Sequence, residues 1–561
     1  APSWSLVLVL RSVLGMTTTV VWFRKCLRVH DNAPLVEACK WGGSMVPVFV
    51  LDPEFRGCGP GRMQFMLESL RDLDAQLETL GSRLVVLYGD AVETMADVFA
   101  GKALGGCTVA RCLWEDDPVE PYALRRDAAV VAAGKKYGVD ARPVFGGGHT
   151  LFDLREALAK CASSGKKPPT TMPAMVSLAE DMTVLKPLPV PNKVPGLPLL
   201  GISEELLRRS RPPIPSMPPE GVSFDAIVEG GETKGLARLR EALERDDGQW
   251  AAAFEKPKTR STSISTTVMS PYMKFGCVSA RTFYWQLREK VLERKKATQP
   301  PTSLLGQLYF REMAYLQALA TGPTFGAQAN HPGVKTQIRW RDDDSSDAGS
   351  YLDAWERGMT GYPYIDACMR QLRTTGWMHH LSRHAVACFL TRGDLWVSWE
   401  KGAAVFDRDL LDADWALNNF NWLGLSGVAA WSPPYFRVYN PAIDPKKKSA
   451  LNVDDPDGAF VRKYVPELRD FPSQYIYTPW KAPIADQRKA NCIVGRDYPK
   501  PIVDHAVVSK ANVATFKEQA SSARSAEDTK DEGAAEAESS SSSKKKAQQQ
   551  QQTKKKRRVS E

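Results

Sequence analysis

Two regimes of hydrophobic patterning divide this 561-residue chain. In the first regime short apolar runs recur: Val20-Val21-Trp22-Phe23, Val46–Leu51, Leu84–Tyr88, Thr108–Leu113 and Ala141–Phe145. Runs of this length suit strands buried on both faces. Between them lie stretches of helical period. One runs from about Met63 to Leu80, and one passes through Leu35, Val36 and Ala38, which Asp31 or Asn32 can cap. Strands alternating with helices predict an α/β domain with a doubly wound parallel sheet over residues 16–150. Its glycine-rich stretches, 57–61 and 146–148, do not form GxGxxG after a strand, which argues against a dinucleotide site of the usual kind.

From Ser163 to about Gly221 proline is frequent, and residues 151–225 read as an interdomain linker. After Gly230 the period lengthens to that of helices. Gly235–Arg245, Ala280–Lys296, Ser303–Leu319, Gly361–Thr375, His379–Thr391 and Asp412–Leu423 predict an all-α domain over 226–520. From about Ser521 the residues are mostly Ala, Glu, Ser, Gln and Lys, so 521–561 is expected to be a disordered tail. Residues 1–15 hold the apolar run Leu6–Leu10 and Arg11; they read as an upstream segment before a start at Met16, with a cleaved targeting peptide as the alternative.

Charge alters this picture in one place. The net charge is +9, but Lys544–Glu561 holds eight Lys or Arg against one Glu, so about seven of the nine charges lie in the tail. The body is nearly balanced, and bulk charge is weak support for nucleic acid. The tail cluster Lys554-Lys555-Lys556-Arg557-Arg558 is of nuclear-import type, and a nuclear protein is expected. Ten cysteines without a CxxC pair read as scattered reduced thiols. No run approaches the ~20 apolar residues of a membrane span.

Candidate chemistry concentrates between Gly376 and Tyr439. His380 and His384 are four apart, on one helical face, with Arg383 between them. The pair reads as satisfied core residues, as metal ligands or as proton donors; Leu381 stands where a zinc protease needs Glu, and no metal is expected. Asp412 and Asp414 read as helix caps or as carboxylates paired with Arg383. Asn418 lies one turn on, able to meet a heteroaromatic edge, and Trp422 one turn further. Trp340, Trp396, Trp399 and Trp422 read as core packing or as a file of indoles passing electrons inward from the surface. Upstream, Thr266, Thr267 and Ser270 form a hydroxyl-rich turn suited to capping or to holding phosphates. Polar groups in a tryptophan-walled bundle suggest a large aromatic cofactor.

These residues resemble the photolyase/cryptochrome flavoproteins from about Val20 to Lys517. The blocks that match are 266–276, 361–366, His379–Glu400, Asp412–Trp422 and Tyr475–Pro483. The His-His-Leu-x-Arg-His block is similar to the animal-type branch, which holds (6-4) photolyases and animal-like cryptochromes. The resemblance implies a U-shaped FAD in the helical domain and an antenna chromophore, a deazaflavin or a folate, on the α/β domain. It implies that Thr266, Thr267, Met269 and Ser270 hold the FAD phosphates, and that Gln307 and Arg311 line the flavin and lesion pocket. Arg383 and Asp412 then pair beside the isoalloxazine, Asp414 meets the adenine side and Asn418 lies opposite flavin N5. Trp422, Trp399 and Trp340 correspond to the electron-transfer chain, with Trp396 a fourth member, and His380 to the proton donor, with His384 its partner.

Three positions depart from that pattern: Phe310 and Gly424 stand where the family has Trp, and Val428–Pro434 replaces an aromatic run. All are implied to lie at the lesion-binding wall, where Trp431 is a substitute platform. The acidic run Asp342–Asp347 reads as a solvated loop. The expected function is blue-light repair of pyrimidine-(6-4)-pyrimidone lesions in DNA by a monomer outside the membrane. The alternative is a blue-light receptor or clock-type regulator acting through transcription-factor partners.

Overall fold

The computed structural model describes residues 17–521 except 105–106, 199–223, 295, 333, 335–337, 342–349, 430, 433–436, 445–446 and 448–449. The amino-terminal segment, the acidic run 342–347, part of 428–434 and the basic tail therefore lie outside the described residues.

Five strands, β1 Thr18–Phe23, β2 Ser44–Leu51, β3 Val85–Tyr88, β4 Val109–Glu115 and β5 Asp140–Val144, form one parallel sheet of order β3-β2-β1-β4-β5. β1 is the centre, in register with β2 through Val20↔Val46 and with β4 through Val20↔Cys112. Alternate side chains of β1 enter different cores. Val20 and Trp22 face helices α3 Ala91–Phe99 and α4 Pro121–Tyr137, while Val21 and Phe23 join the core that holds α1 Ala33–Trp41 and α2 Pro60–Thr79. That second core continues without a break into the helical domain. Asn32 is the cap of α1, accepting from Leu35 N at 3.0 Å, whereas Asp31 pairs with Arg281 of the other domain.

The stretch 151–225, expected to be an interdomain linker, holds two helices among its described residues, α5 Leu154–Ser163 and α6 Met172–Glu180, and Met172, Met175 and Leu178 enter the main core. Gln317 donates to the carbonyls of Pro168 (3.1 Å) and Pro169 (2.9 Å), so this stretch is pinned to the helical domain.

The helical domain contains α7 Glu232–Glu244, α8 Ala280–Leu287, α9 Leu304–Thr321, α10 Tyr351–Arg357, α11 Pro363–Thr375, α12 His380–Cys388, α13 Trp399–Asp409, α14 Trp415–Ser426 and α15 over 505–521. The helix expected over 280–296 ends earlier, in a π-helical turn at Arg288–Leu292. The one expected over 379–391 starts one residue later, because the His379 side chain caps it by accepting from Leu381 N at 3.2 Å. Its end is a second π-helical turn, Phe389–Gly393, broken at Thr391 (φ −94°, ψ −114°).

The segment after β1 joins the domains. Leu27 N donates to Phe275 O at 3.1 Å, the buried Arg28 guanidinium donates to Gly276 O at 2.9 Å and to Glu115 at 3.1 Å, and Val29 N donates to Glu232 at 2.6 Å. Gly276 has φ +65°, and a Cβ there would lie 1.8 Å from the Lys25 carbonyl oxygen. Gly42 has the same φ, +65°, with nothing within 4 Å. Gly276→Ala is therefore expected to cost about 2–4 kcal/mol, from strain plus overpacking, and Gly42→Ala only the ~1 kcal/mol of the backbone conformation. Denaturant unfolding of the two variants checks this; equal losses would contradict it.

Candidate functional site

Three helices, α12, α13 and α14, frame the site. The two aspartates at the start of α14 have separate tasks. Asp414 is the cap, accepting from Leu417 N at 3.1 Å. Asp412 pairs with Arg383 of α12 at 3.0 Å and accepts from Ser270 Oγ at 2.6 Å, which ties the hydroxyl turn to the bundle. Within that turn Met269 is buried, and the Thr267 carbonyl accepts from Arg238 Nε at 2.6 Å. Asn418 donates through Nδ2 to Ala403 O of α13 at 2.9 Å, which fixes the amide's orientation.

His379, His380 and His384 line the start of α12. The His380 ring lies 4.3 Å from His379 and 6.1 Å from His384, whose ring is 6.5 Å from Tyr439. His379 accepts at Nδ1, so its proton sits on Nε2, which meets Thr259 Oγ1 at 3.0 Å. Burial, then the Arg383 and Lys256 charges, push His379 down to about 3. Burial, then Lys256 and Arg383, push His384 down to about 4. His380 is held well below the imidazole range by burial and then by Lys256. All three imidazoles are neutral near pH 7. Lys256 is itself pushed down to about 8 by burial and then by Arg383, so it remains an ammonium at neutral pH. Sequence reasoning missed Lys256 and Tyr439. Lys256 lies outside every long periodic stretch, and its only local signal is the short run Lys256-Pro257-Lys258.

Among the described residues, the buried side-chain polar atoms without a protein partner include Gln307 Oε1, His380 Nδ1, Asp412 Oδ1 and Trp422 Nε1. A native interior rarely leaves such groups unpaired, because each costs about 1–3 kcal/mol. His380, Asp412 and Trp422 belong to α12, the α13–α14 loop and α14; Gln307 is on α9, where Nε2 donates to Pro301 O at 3.2 Å. Acceptors, an indole donor and the Arg383 guanidinium make a set that fits a ligand rich in both carbonyls and N–H groups.

Arg311 and Asp414 have protein partners at the domain boundary instead. Arg311 donates to His149 O at 2.6 Å and lies 4.6 Å from the Tyr315 ring centre. The Tyr315 hydroxyl joins His149 Nε2 (2.6 Å) to Asp414 Oδ2 (2.5 Å). Burial alone would push the Asp414 carboxyl up, but the Lys274 and Lys25 ammoniums bring it down to about 2.

Trp340, Trp396 and Trp399 form a connected group. Trp422 is buried edge-on to Phe406, with ring centres 5.1 Å apart. Trp399 is fully buried, Trp340 is half-buried, and each donates to the Gln328 side chain. Trp396 lies 5.2 Å from Trp340 and is only 8 % exposed, so Trp340 is the more open end. α15 covers Trp396: Phe516 lies 6.5 Å away, edge to face, and His505 pairs with Asp394 at 2.7 Å. At the departures from the family pattern, Phe310 is partly buried against the core. A Cβ on Gly424 would lie 3.1 Å from Trp431 Nε1, and Trp431 stacks on Phe420 at 4.6 Å, 5° from parallel.

A cavity of about 540 Å³ opens where the strand order reverses between β1 and β4. Its lining includes Arg24, Lys25, Asp117, His149 and Lys274. Open parallel sheets bind ligands at this place, outside the carboxyl ends of the strands. Burial, then the Lys25 ammonium, push Lys274 down to about 8.

A parallel-sheet domain locked onto a helical one, with a cavity at the switch point and buried polar groups without partners, defines a two-domain ligand-binding class. Comparisons with known proteins narrow this. The model described as the FAD binding domain of DNA photolyase matches residues 304–518, and that described as DNA photolyase matches 19–192. The chain is 42% identical over 539 residues to a (6-4)DNA photolyase of Oryza sativa subsp. japonica, covering 92% of each chain. It is 39% identical over 523 residues to Cryptochrome-2 of Gallus gallus, covering 90% of this chain and 84% of that one. Among solved structures, a bacterial class III photolyase from Agrobacterium tumefaciens superposes with a TM-score of 0.73 at 29% identity, over 90% of this chain and 98% of that one. The protein belongs to the photolyase/cryptochrome family, and its helical domain is the FAD-binding domain.

Because Asp412 Oδ1 is a buried acceptor without a partner, Asp412→Asn is expected to weaken FAD binding about tenfold or more, the value of one charge-assisted hydrogen bond. Titration of the flavin-free protein with FAD measures this; unchanged affinity would contradict it.

Proposed function

We propose that this protein is an enzyme that uses blue light to repair pyrimidine-(6-4)-pyrimidone photoproducts in DNA. When bound, reduced FAD supplies one electron to the lesion and recovers it after the bonds rearrange. Thr266, Thr267, Met269, Ser270, Gln307, Arg383, Asp412 and Asn418 are proposed to hold it, with Arg311 and Asp414 supporting them from the domain boundary.

The observation that carries the reading is His380. Its imidazole is neutral and its Nδ1 is buried without a partner. Such a group accepts a hydrogen bond from a lesion hydroxyl at Nδ1 while its other nitrogen holds a proton to give. Lys256 keeps positive charge beside it as negative charge develops on the lesion, and His384 borders it one turn along α12. The (6-4)DNA photolyases of Oryza sativa and of Arabidopsis thaliana, at 42% and 41% identity, support this substrate over others. The lesion reaches the site by flipping out of the duplex, which is cheaper for a damaged pair. Trp431, stacked on Phe420 beside Gly424, supplies the aromatic platform that Gly424 lacks.

The cavity of about 540 Å³ is proposed to take the antenna, a deazaflavin or a folate. Trp422, Trp399 and Trp340 are proposed to carry electrons inward, with Trp396 as a side branch, and the tail cluster to direct nuclear import. A second reading, a cryptochrome-type regulator acting through transcription-factor or clock partners, is favoured by one contact: α15 is docked on the Trp396 end of the indole group, where a light-made charge would be felt.

His380→Asn is expected to lower repair of a (6-4)-containing oligonucleotide by about 10²-fold or more while leaving flavin photoreduction intact. Wild-type repair by this variant would remove His380 from the chemistry. Trp422→Phe is expected to slow photoreduction of oxidised FAD and to spare repair by chemically reduced protein. Unchanged photoreduction would remove Trp422 from the electron path.

A further inference from the structure

Gln328 Oε1 accepts hydrogen bonds from both indoles that lie beyond Trp422 in the file: from Trp340 Nε1 at 2.7 Å and from Trp399 Nε1 at 3.1 Å. The two indole nitrogens therefore lie within the sum of those distances of each other. The orientation of the amide is determined by its neighbours. Gln328 Nε2 donates to the Ile338 carbonyl at 2.7 Å, so the opposite orientation would set an NH₂ against two N–H donors and a carbonyl against a carbonyl. The backbone is held as well, Gln328 N donating to Glu400 at 2.8 Å in the first turn of α13, next to Trp399. A side chain with both ends and its main chain committed has one geometry.

We propose that Gln328 is a positioning residue for electron transfer, its carbonyl oxygen bridging the Trp340 and Trp399 indoles so that a positive charge on either ring faces the same fixed dipole. This rests on the reading of the tryptophans as an electron path. The step is a single-electron exchange. One electron leaves neutral Trp340 and fills the Trp399 radical cation; Trp399 becomes neutral, Trp340 becomes the radical cation, and both N–H protons stay in place. A thiol reductant in solvent, itself oxidised, then returns one electron to the half-buried Trp340. Removing an electron from an indole strengthens its N–H as a donor, so a bond to a preoriented carbonyl is worth more to the cation than to the neutral ring. Because the acceptor is shared, the bond that tightens and the bond that relaxes exchange places as the charge moves, with little motion of Gln328. An amide carbonyl is too weak a base to take the indole proton, so the charge stays mobile.

The test uses the full-length FAD-loaded protein with Gln328→Met, which keeps length and removes the acceptor, and Gln328→Glu, which replaces the amide by a carboxylate, a base strong enough to take the indole proton. Time-resolved absorption reads the tryptophan radical, with Trp422→Phe as the control for the path itself. Gln328→Met is expected to lower the yield of long-lived tryptophan radical and the photoreduction rate about tenfold, and Gln328→Glu to shift the long-lived radical from the protonated cation to the deprotonated neutral form. In flavin-free protein labelled with ¹⁵N-tryptophan, Trp340→Phe is expected to shift the Trp399 indole N–H resonance, because its acceptor is no longer shared. Gln328→Met matching wild type while Trp422→Phe abolishes photoreduction would overturn the bridge and leave the path standing. A Gln328→Glu radical that stays in the same protonated form as the wild-type one would also overturn it. Photoreduction untouched by Trp422→Phe would overturn the path and the bridge with it.

Discussion

The interior of the helical domain is organised around polar groups that the protein alone does not satisfy. Asp412 and Arg383 form an ion pair where α12 meets α14, and one oxygen of that carboxylate has no donor. An ion pair in such a place is costly to assemble and costly to break, so it tends to persist where a ligand completes it. His380 Nδ1 and Trp422 Nε1 are buried in the same domain without protein partners. Under the proposed assignment, the flavin would supply partners that the chain leaves open.

Electrostatics then separates the site into regions with different work. Around His380 burial, and then the cations Lys256 and Arg383, keep the imidazoles neutral, which is the state the proposed proton donor needs before negative charge arrives. At the domain boundary Lys274 and Lys25 hold Asp414 ionised, and Tyr315 and His149 connect that carboxylate to the cavity at the strand switch point. Towards the surface the indoles are packed with fixed partners. Trp396 is held at φ +59°, an unfavourable conformation for a large side chain, by main-chain bonds to Thr391 and Arg341 at 2.9 Å and by the cover of α15. Strain of about 1–3 kcal/mol at such a residue persists only where its surroundings over-determine it.

Much of this was legible in the residues. The five strands were readable because a sheet buried on both faces demands continuous apolar runs, and Val20–Phe23 and Val46–Leu51 are unambiguous. The separate tasks of Asp412 and Asp414 followed both available readings, one pairing with Arg383 and one capping α14. The helices within the proline-rich stretch were hidden because prolines there sit in and around helix starts, as at Pro173 in the first turn of α6, where a missing N–H costs nothing. Lys256 and Gln328 were hidden for a different reason. Each acts from an irregular segment whose position is set by tertiary packing, and no periodicity or spacing marks them. Gln328 gains its meaning only when Trp340 and Trp399, 59 positions apart, converge on one oxygen.

The central claim is that α12, α13 and α14 enclose a photoactive flavin. Visible absorption of the full-length protein, as purified or after reconstitution with FAD, tests it most directly. The account predicts one flavin per chain, with an oxidised-flavin band that bleaches under blue light in the presence of a thiol. A colourless protein that takes up no FAD would contradict it.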